Sequence, residues 1–121
     1  EQGVAEAQYN LASLYDNGEG VLQDYNQAIY WLKKAAEQGL AEAQYNLALR
    51  YDSGNKGVLQ DYNQAIYWLK KAAKQGLAKA QVVFGFSYVR GRGVITDDVE
   101  AYVWWNVAAA QGKEAAGKYR D

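Results

Sequence analysis

One stretch, Gly-Val-Leu-Gln-Asp-Tyr-Asn-Gln-Ala-Ile-Tyr-Trp-Leu-Lys-Lys-Ala-Ala, runs from Gly20 to Ala36 and returns unchanged from Gly57 to Ala73. A third, diverged copy comes after it, and Gly3, Gly39, Gly76 and Gly112 mark equivalent points 36 or 37 residues apart. A chain built this way must make its core by stacking like units, because one unit of that length cannot bury enough apolar surface alone. Aligned from Gly3 and Gly39, the first two copies differ only at Val4/Leu40, Ser13/Leu49, Leu14/Arg50, Asn17/Ser53, Glu19/Lys56 and Glu37/Lys74, with Asn55 the one inserted residue. Identity at this level comes from recent duplication or from consensus building.

Each copy carries two helical patterns. Helix A covers about residues 4–17, 40–53 and 77–90, with Ala7, Leu11, Leu14 and Tyr15 at helical spacing in the first copy. Helix B covers about 25–38, 62–75 and 98–111. Asp24, Asp61 and Asp97 stand at its N-cap, and Gln27, Gln64 and Glu100 lie three residues on, the spacing of a capping box. Gly39, Gly76 and Gly112 fall where the B helices should end in a left-handed residue. Lys33, Lys34, Lys70 and Lys71 lie in the second half of helix B, favourable to its dipole. The expected architecture is one all-α domain over 1–121, an α-solenoid of three helix-turn-helix repeats at about 3–38, 39–75 and 76–111. A partial terminal helix is expected at 113–120.

Composition removes several chemistries. The 121 residues include no Cys and no His, so disulfides, thiolate nucleophiles, Cys-ligated zinc and the commonest general base are excluded. A net charge of −1 offers no field that would draw the chain to nucleic acid or anionic lipid. No apolar run approaches the roughly 20 residues of a membrane span, and no signal peptide is present in this stretch. The start at Glu1 without Met, and the match of Glu1-Gln2-Gly3 to Glu37-Gln38-Gly39, point to a slice of a longer array. The compartment stays open: periplasmic, secreted and cytoplasmic all fit.

These residues resemble the Sel-one-like repeat family, relatives of tetratricopeptide repeats. The motif is carried by Ala7, Leu11, Ala12, Tyr15, Gly18, Gly20, Val21, Asp24, Ala28, Trp31, Ala35, Ala36 and Gly39. The second copy repeats it; the third puts Phe84 where Leu is usual, and its Trp104-Trp105 and Ala-Ala-Ala-Gln-Gly ending resemble the last repeat of bacterial members. The resemblance implies a right-handed superhelix of antiparallel helix pairs with helix A lining the concave side. It also implies an adaptor role in binding proteins. A cysteine-rich bacterial branch linked to β-lactams has disulfides that are absent here.

Two readings of the residues then compete. Hydroxyl nucleophiles are scarce, Ser53 near Lys56 sits in a turn where a small polar residue is expected anyway, and carboxylates that recur every hairpin are caps rather than catalysts. The chain is therefore not expected to be an enzyme, and no cofactor or metal is expected. Trp31, Trp68 and Trp104, with Tyr15, Tyr51 and Tyr88, are read as core. The register that turns Leu11 and Tyr15 inward leaves Glu6, Tyr9, Ser13 and Asp16 on the other side in copy one. Copy two leaves Glu42, Tyr45, Leu49 and Asp52 there, and copy three Lys79, Val82, Phe86 and Arg90. In tetratricopeptide-like folds that side is a concave groove. Glu6, Asp16, Glu42 and Asp52 should form an acidic strip facing Lys79, Arg90 and Arg92 at the far end, with Phe86, Val82 and Leu49 holding an apolar side chain between them. The expectation is a non-catalytic scaffold for a protein or peptide partner. Its rivals are an envelope protein that binds or processes cell-wall or β-lactam-type ligands, and an engineered or excised fragment without a native partner. Apolar end faces around Val4, Leu11, Val107 and Ala115 should promote end-to-end self-association.

Overall fold

The computed structural model describes residues 2–120, and the side chains of residues 3–112. They form six helices: α1 (Gln2–Asn17), α2 (Tyr25–Glu37), α3 (Ala41–Ser53), α4 (Tyr62–Lys74), α5 (Ala78–Arg90) and α6 (Asp98–Arg120). The odd-numbered helices are the A helices of the repeats, the even-numbered ones the B helices. Each A helix pairs with the B helix after it, and α2 packs on α3 and α4 on α5, so the elements stack serially as an all-α solenoid.

Every B helix starts where the aspartates place it. Asp24 accepts from the backbone N–H of Asn26 and Gln27, Asp61 from Gln64, and Asp97 from Val99 and Glu100. The other half of the capping box is replaced. The backbone N–H of Asp24, Asp61 and Asp97 donates to the carbonyl of Tyr15, Tyr51 and Tyr88 at 2.9–3.0 Å. Helix A thus satisfies the donor that a Gln or Glu side chain would otherwise reach, and the cap becomes the clasp of the hairpin.

The core is a file of alanines against large side chains. Ala28, Ala35, Ala43, Ala72 and Ala80 are wholly buried, with Leu32, Leu47 and Phe84 the largest fully buried side chains beside them. Trp68 is buried, while Trp31 and Trp104 pack half-buried on the same cluster with Tyr51 and Tyr88. Phe84, in the place of the usual Leu, meets the rings of Tyr88 and Trp104 at 5.2 Å each.

Buried glutamines join the repeats, a feature absent from the pattern of apolar residues. Gln44 and Gln81, both buried, donate to the carbonyls of Ala36 and Ala73 at 3.1 and 3.0 Å. Those carbonyls lie in the last turn of α2 and α4, where they also accept from the backbone N–H of Gly39 and Gly76 at 3.0 Å. Gln75 then donates to Gln44 at 2.8 Å, closing the chain of bonds across the seam.

The third repeat ends differently from the expectation. Gly39 and Gly76 have φ of 97° and 95° and stop α2 and α4, but α6 runs through Gly112 to Arg120 without a turn. Leu40 and Leu77, next to the first two glycines, pack against the core and draw the chain out of the helix. Lys113 comes after Gly112 and offers no apolar side chain for that purpose, so the helical path continues. The expected separate helix at 113–120 is part of α6, and the Ala115 side chain lies outside the described residues.

Candidate functional site

The A helices carry a face on which neighbouring repeats meet through polar and aromatic side chains. Asp16 on α1 pairs with Arg50 on α3, both largely shielded from solvent. Glu42 on α3 pairs with Lys79 on α5 at 2.9 Å, and Asp52 with Arg92 at 3.6 Å. The Asn46 amide donates to the Tyr9 hydroxyl. Lys79 also lies over the Tyr45 ring at 5.2 Å, and Arg90 over Phe86 at 5.3 Å.

These contacts tune the groups that make them. Burial pushes the Tyr9 hydroxyl above its usual value, and the Glu42 carboxylate adds to that shift. Lys79 is also raised, chiefly by its hydrogen bond to Glu42. Both groups therefore stay protonated throughout the neutral range.

The charge pattern corrects the expectation of an acidic half and a basic half. Asp16, Glu42 and Asp52 are each matched by a cation from the following repeat or its loop. The charges interleave across the seams instead of separating to the two ends. Glu6 is exposed at the outer edge of the strip, and Ser13 turns its hydroxyl onto the carbonyl of Tyr9 at 3.4 Å.

The expected apolar pocket is also regrouped. Val82 and Phe86 line an open cleft of about 480 Å³ with Ala78, Lys79, Trp105, Ala108 and Ala109. Leu49 is elsewhere, in a small crevice with Asp52, Ile66, Val83 and Arg92. Trp105 supplies the wall that Leu49 was expected to form. Its ring meets Phe86 at 4.9 Å, and its indole N–H donates to the carbonyl of Val82 at 3.0 Å.

Arg50 and Asn46 complete the face and were missed as site residues. The signal was available: Leu14/Arg50 is one of the few differences between two nearly identical copies. A second omission lies on the hairpin loops, where Leu22, Leu59 and Ile95 are 90%, 88% and 90% exposed at equivalent positions. They form a recurring apolar projection on the edge of the solenoid. Among the described residues, no group of His, Cys, Asp and Glu could hold a metal ion, and no helix is long and apolar enough to cross a membrane.

A search of curated protein sequences found no match. Among solved structures, the chain is similar to a Sel1 repeat protein from Oxalobacter formigenes, at 42% identity over 96% of this chain and 86% of that one, with a TM-score of 0.86. It is also similar to c5321, a protective antigen present in uropathogenic Escherichia coli strains that displays an SLR fold. That match has 47% identity over 92% of this chain and a TM-score of 0.84, and it spans 24% of the antigen. Sel1 repeat proteins are in general protein-interaction scaffolds. The Sel1 repeat family model matches residues 5–40, 41–77 and 78–113, which with the paired helices and their recurring caps establishes that this chain belongs to the Sel1 repeat family.

Proposed function

We propose that the chain is a non-catalytic scaffold that holds a partner peptide or domain in the groove lined by α1, α3 and α5. The observation that carries this reading is where the copies differ. Positions shared by all three copies, such as Ala28/Ala65/Ala101, buried in each, belong to the packing between helices. Positions 9/45/82, 13/49/86 and 6/42/79 change from Tyr to Val, from Ser through Leu to Phe, and from Glu to Lys, and they share the A-helix face. A surface varied on a constant frame is what recognition requires.

Aromatic and apolar groups supply the affinity of such a groove, since exposed ion pairs contribute only about 0–1 kcal/mol each. Micromolar binding is expected, with the interleaved charges acting mainly on the rate of encounter. Peptides selected from a random library against the chain, then added to the isotope-labelled protein, should shift backbone amide resonances of α1, α3 and α5. Tyr45→Ala should weaken the same peptides. Shifts confined to the Lys33, Lys34, Lys70 and Lys71 face, or to the loops of Leu22, Leu59 and Ile95, would place binding outside the groove and refute the proposal.

A further inference from the structure

The molecule shows twice how an A helix is seated. Helix α3 lies on Leu32, Ala35 and Ala36, and α5 lies on Leu69, Ala72 and Ala73, all of them buried. The equivalent positions on α6 are Trp105, Ala108 and Ala109, which line the open cleft of about 480 Å³; Ala108 is buried there, but Trp105 is half-buried and Ala109 exposed. At the other end, α1 is nearly the sequence of α3, yet its outward side is uncovered. Ala7 is exposed where Ala43 and Ala80 are fully buried. One end is an empty seat and the other is the kind of helix that fills it.

We propose that this cleft takes α1 of a second copy of the chain, joining molecules head to tail in the geometry that already seats α3 and α5.

The departures from the repeat pattern support this occupant. Within the chain, Asp16 reaches across a seam to Arg50. At a junction between copies, the position of Asp16 is held by Val89 and that of Arg50 by Leu14 of the second copy. Val89 is 44% and Leu14 40% exposed, so an ion pair is replaced by a matched apolar pair whose two halves face water in the single molecule. The polar register is also available. Gln8 stands where Gln44 and Gln81 stand, and those donate to the carbonyls of Ala36 and Ala73. The carbonyl of Ala109 holds the matching position at the junction; it lies inside α6, so Gln8 would be its second donor. Such contacts join unlike surfaces, so the assembly grows as an open chain instead of closing as a symmetric dimer.

The cleft shares Lys79, Val82 and Phe86 with the proposed groove, but the readout is mass with no peptide present, so the two readings fail separately. Sedimentation equilibrium of the 121-residue chain should show an average mass that at least doubles on concentration to several hundred micromolar. Leu14→Arg and Val89→Asp each restore a residue that another repeat already carries at that position, so both variants should keep the fold, as circular dichroism can verify. Each alone should weaken association at least tenfold, because it sets a charge against an apolar side chain. The double variant should recover most of the loss by recreating the Asp16–Arg50 pair between molecules. A parent that stays monomeric, single variants that associate like the parent, or a double variant no better than either single one would each overturn the proposal.

Discussion

At the seam between α4 and α5, Leu69, Ala72 and Ala73 disappear beneath the next helix, while Ala48 lies buried beside them. On α6 the same positions read Trp105, Ala108 and Ala109, with Gly85 in place of Ala48; Ala108 stays buried, but Trp105 is half-buried and Ala109 exposed beside an open cleft. The Leu-to-Trp and Ala-to-Gly changes depend on each other. A Cβ placed on Gly85 would come within 2.4 Å of the Trp105 indole nitrogen, so the glycine is what lets the ring lie down on α5. A repeat pattern therefore states which positions meet the next unit. Their burial depends on the helix that covers them, and in the third copy Trp105 has repacked the seat over Gly85.

The largest effect should come from breaking the closed side of this comparison. Trp68→Ala removes a buried ring with repeats on both sides and should cost about 3–5 kcal/mol. Trp104→Ala, at the half-buried equivalent on α6, should cost less. Thermal melting followed by circular dichroism would compare them; a Trp68→Ala midpoint equal to that of Trp104→Ala would show that the inner seam is no better packed than the end.

A smaller effect should sharpen the open side. Gly85→Ala gains about 1 kcal/mol of helix propensity but displaces Trp105, an overpacking that costs about 1–3 kcal/mol. The expected result is no gain, or a net loss. In a Trp105→Leu background the Ala–Leu pair of the inner seam is restored, and the same Gly85→Ala change should stabilise by about 0.5–1 kcal/mol. Urea denaturation of the four proteins measures the coupling. Equal effects in both backgrounds would mean that Gly85 and Trp105 do not depend on each other.

The smallest effect concerns the polar closure between α3 and α5. Lys79 and Tyr9 bind their protons more tightly in the folded chain than their ordinary values of 10.5 and 10.0 imply. Stability from such raised groups is complete below the unfolded values and is lost as pH rises through the folded ones. Because Lys79 is mostly exposed, its share should be under about 1 kcal/mol. Melting midpoints should hold steady across the neutral range and fall only at alkaline pH. Lys79→Met should remove part of that fall; an identical alkaline slope in parent and variant would deny the Glu42–Lys79 pair any role in it.

Much of the molecule is legible in its sequence because the relevant forces act over a few residues. Asp24, Asp61 and Asp97 bond to N–H groups two or three positions on, so the starts of α2, α4 and α6 agree with the expectation to the residue. Periodicity of Ala, Leu and aromatic side chains likewise selects the inward faces, since a helix returns to the same side every three or four residues. The A-helix face was identifiable for the same reason, residue by residue on each helix.

What tertiary structure alone decided is which of those residues meet across repeats. Glu42 finds Lys79, and Asp16 finds Arg50, because the offset between stacked A helices sets one against the other; no spacing within a repeat contains that offset. Trp105 takes the wall expected of Leu49 because it can lie over a glycine on a different helix. Gly39 and Gly76 turn left-handed beside a leucine packed on the core, whereas Gly112, followed in sequence by Lys113, stays helical. Local chemistry determined the units, and contacts between helices, 34 residues apart for Asp16–Arg50 and 23 for Trp105–Val82, determined the charge pattern and the cleft.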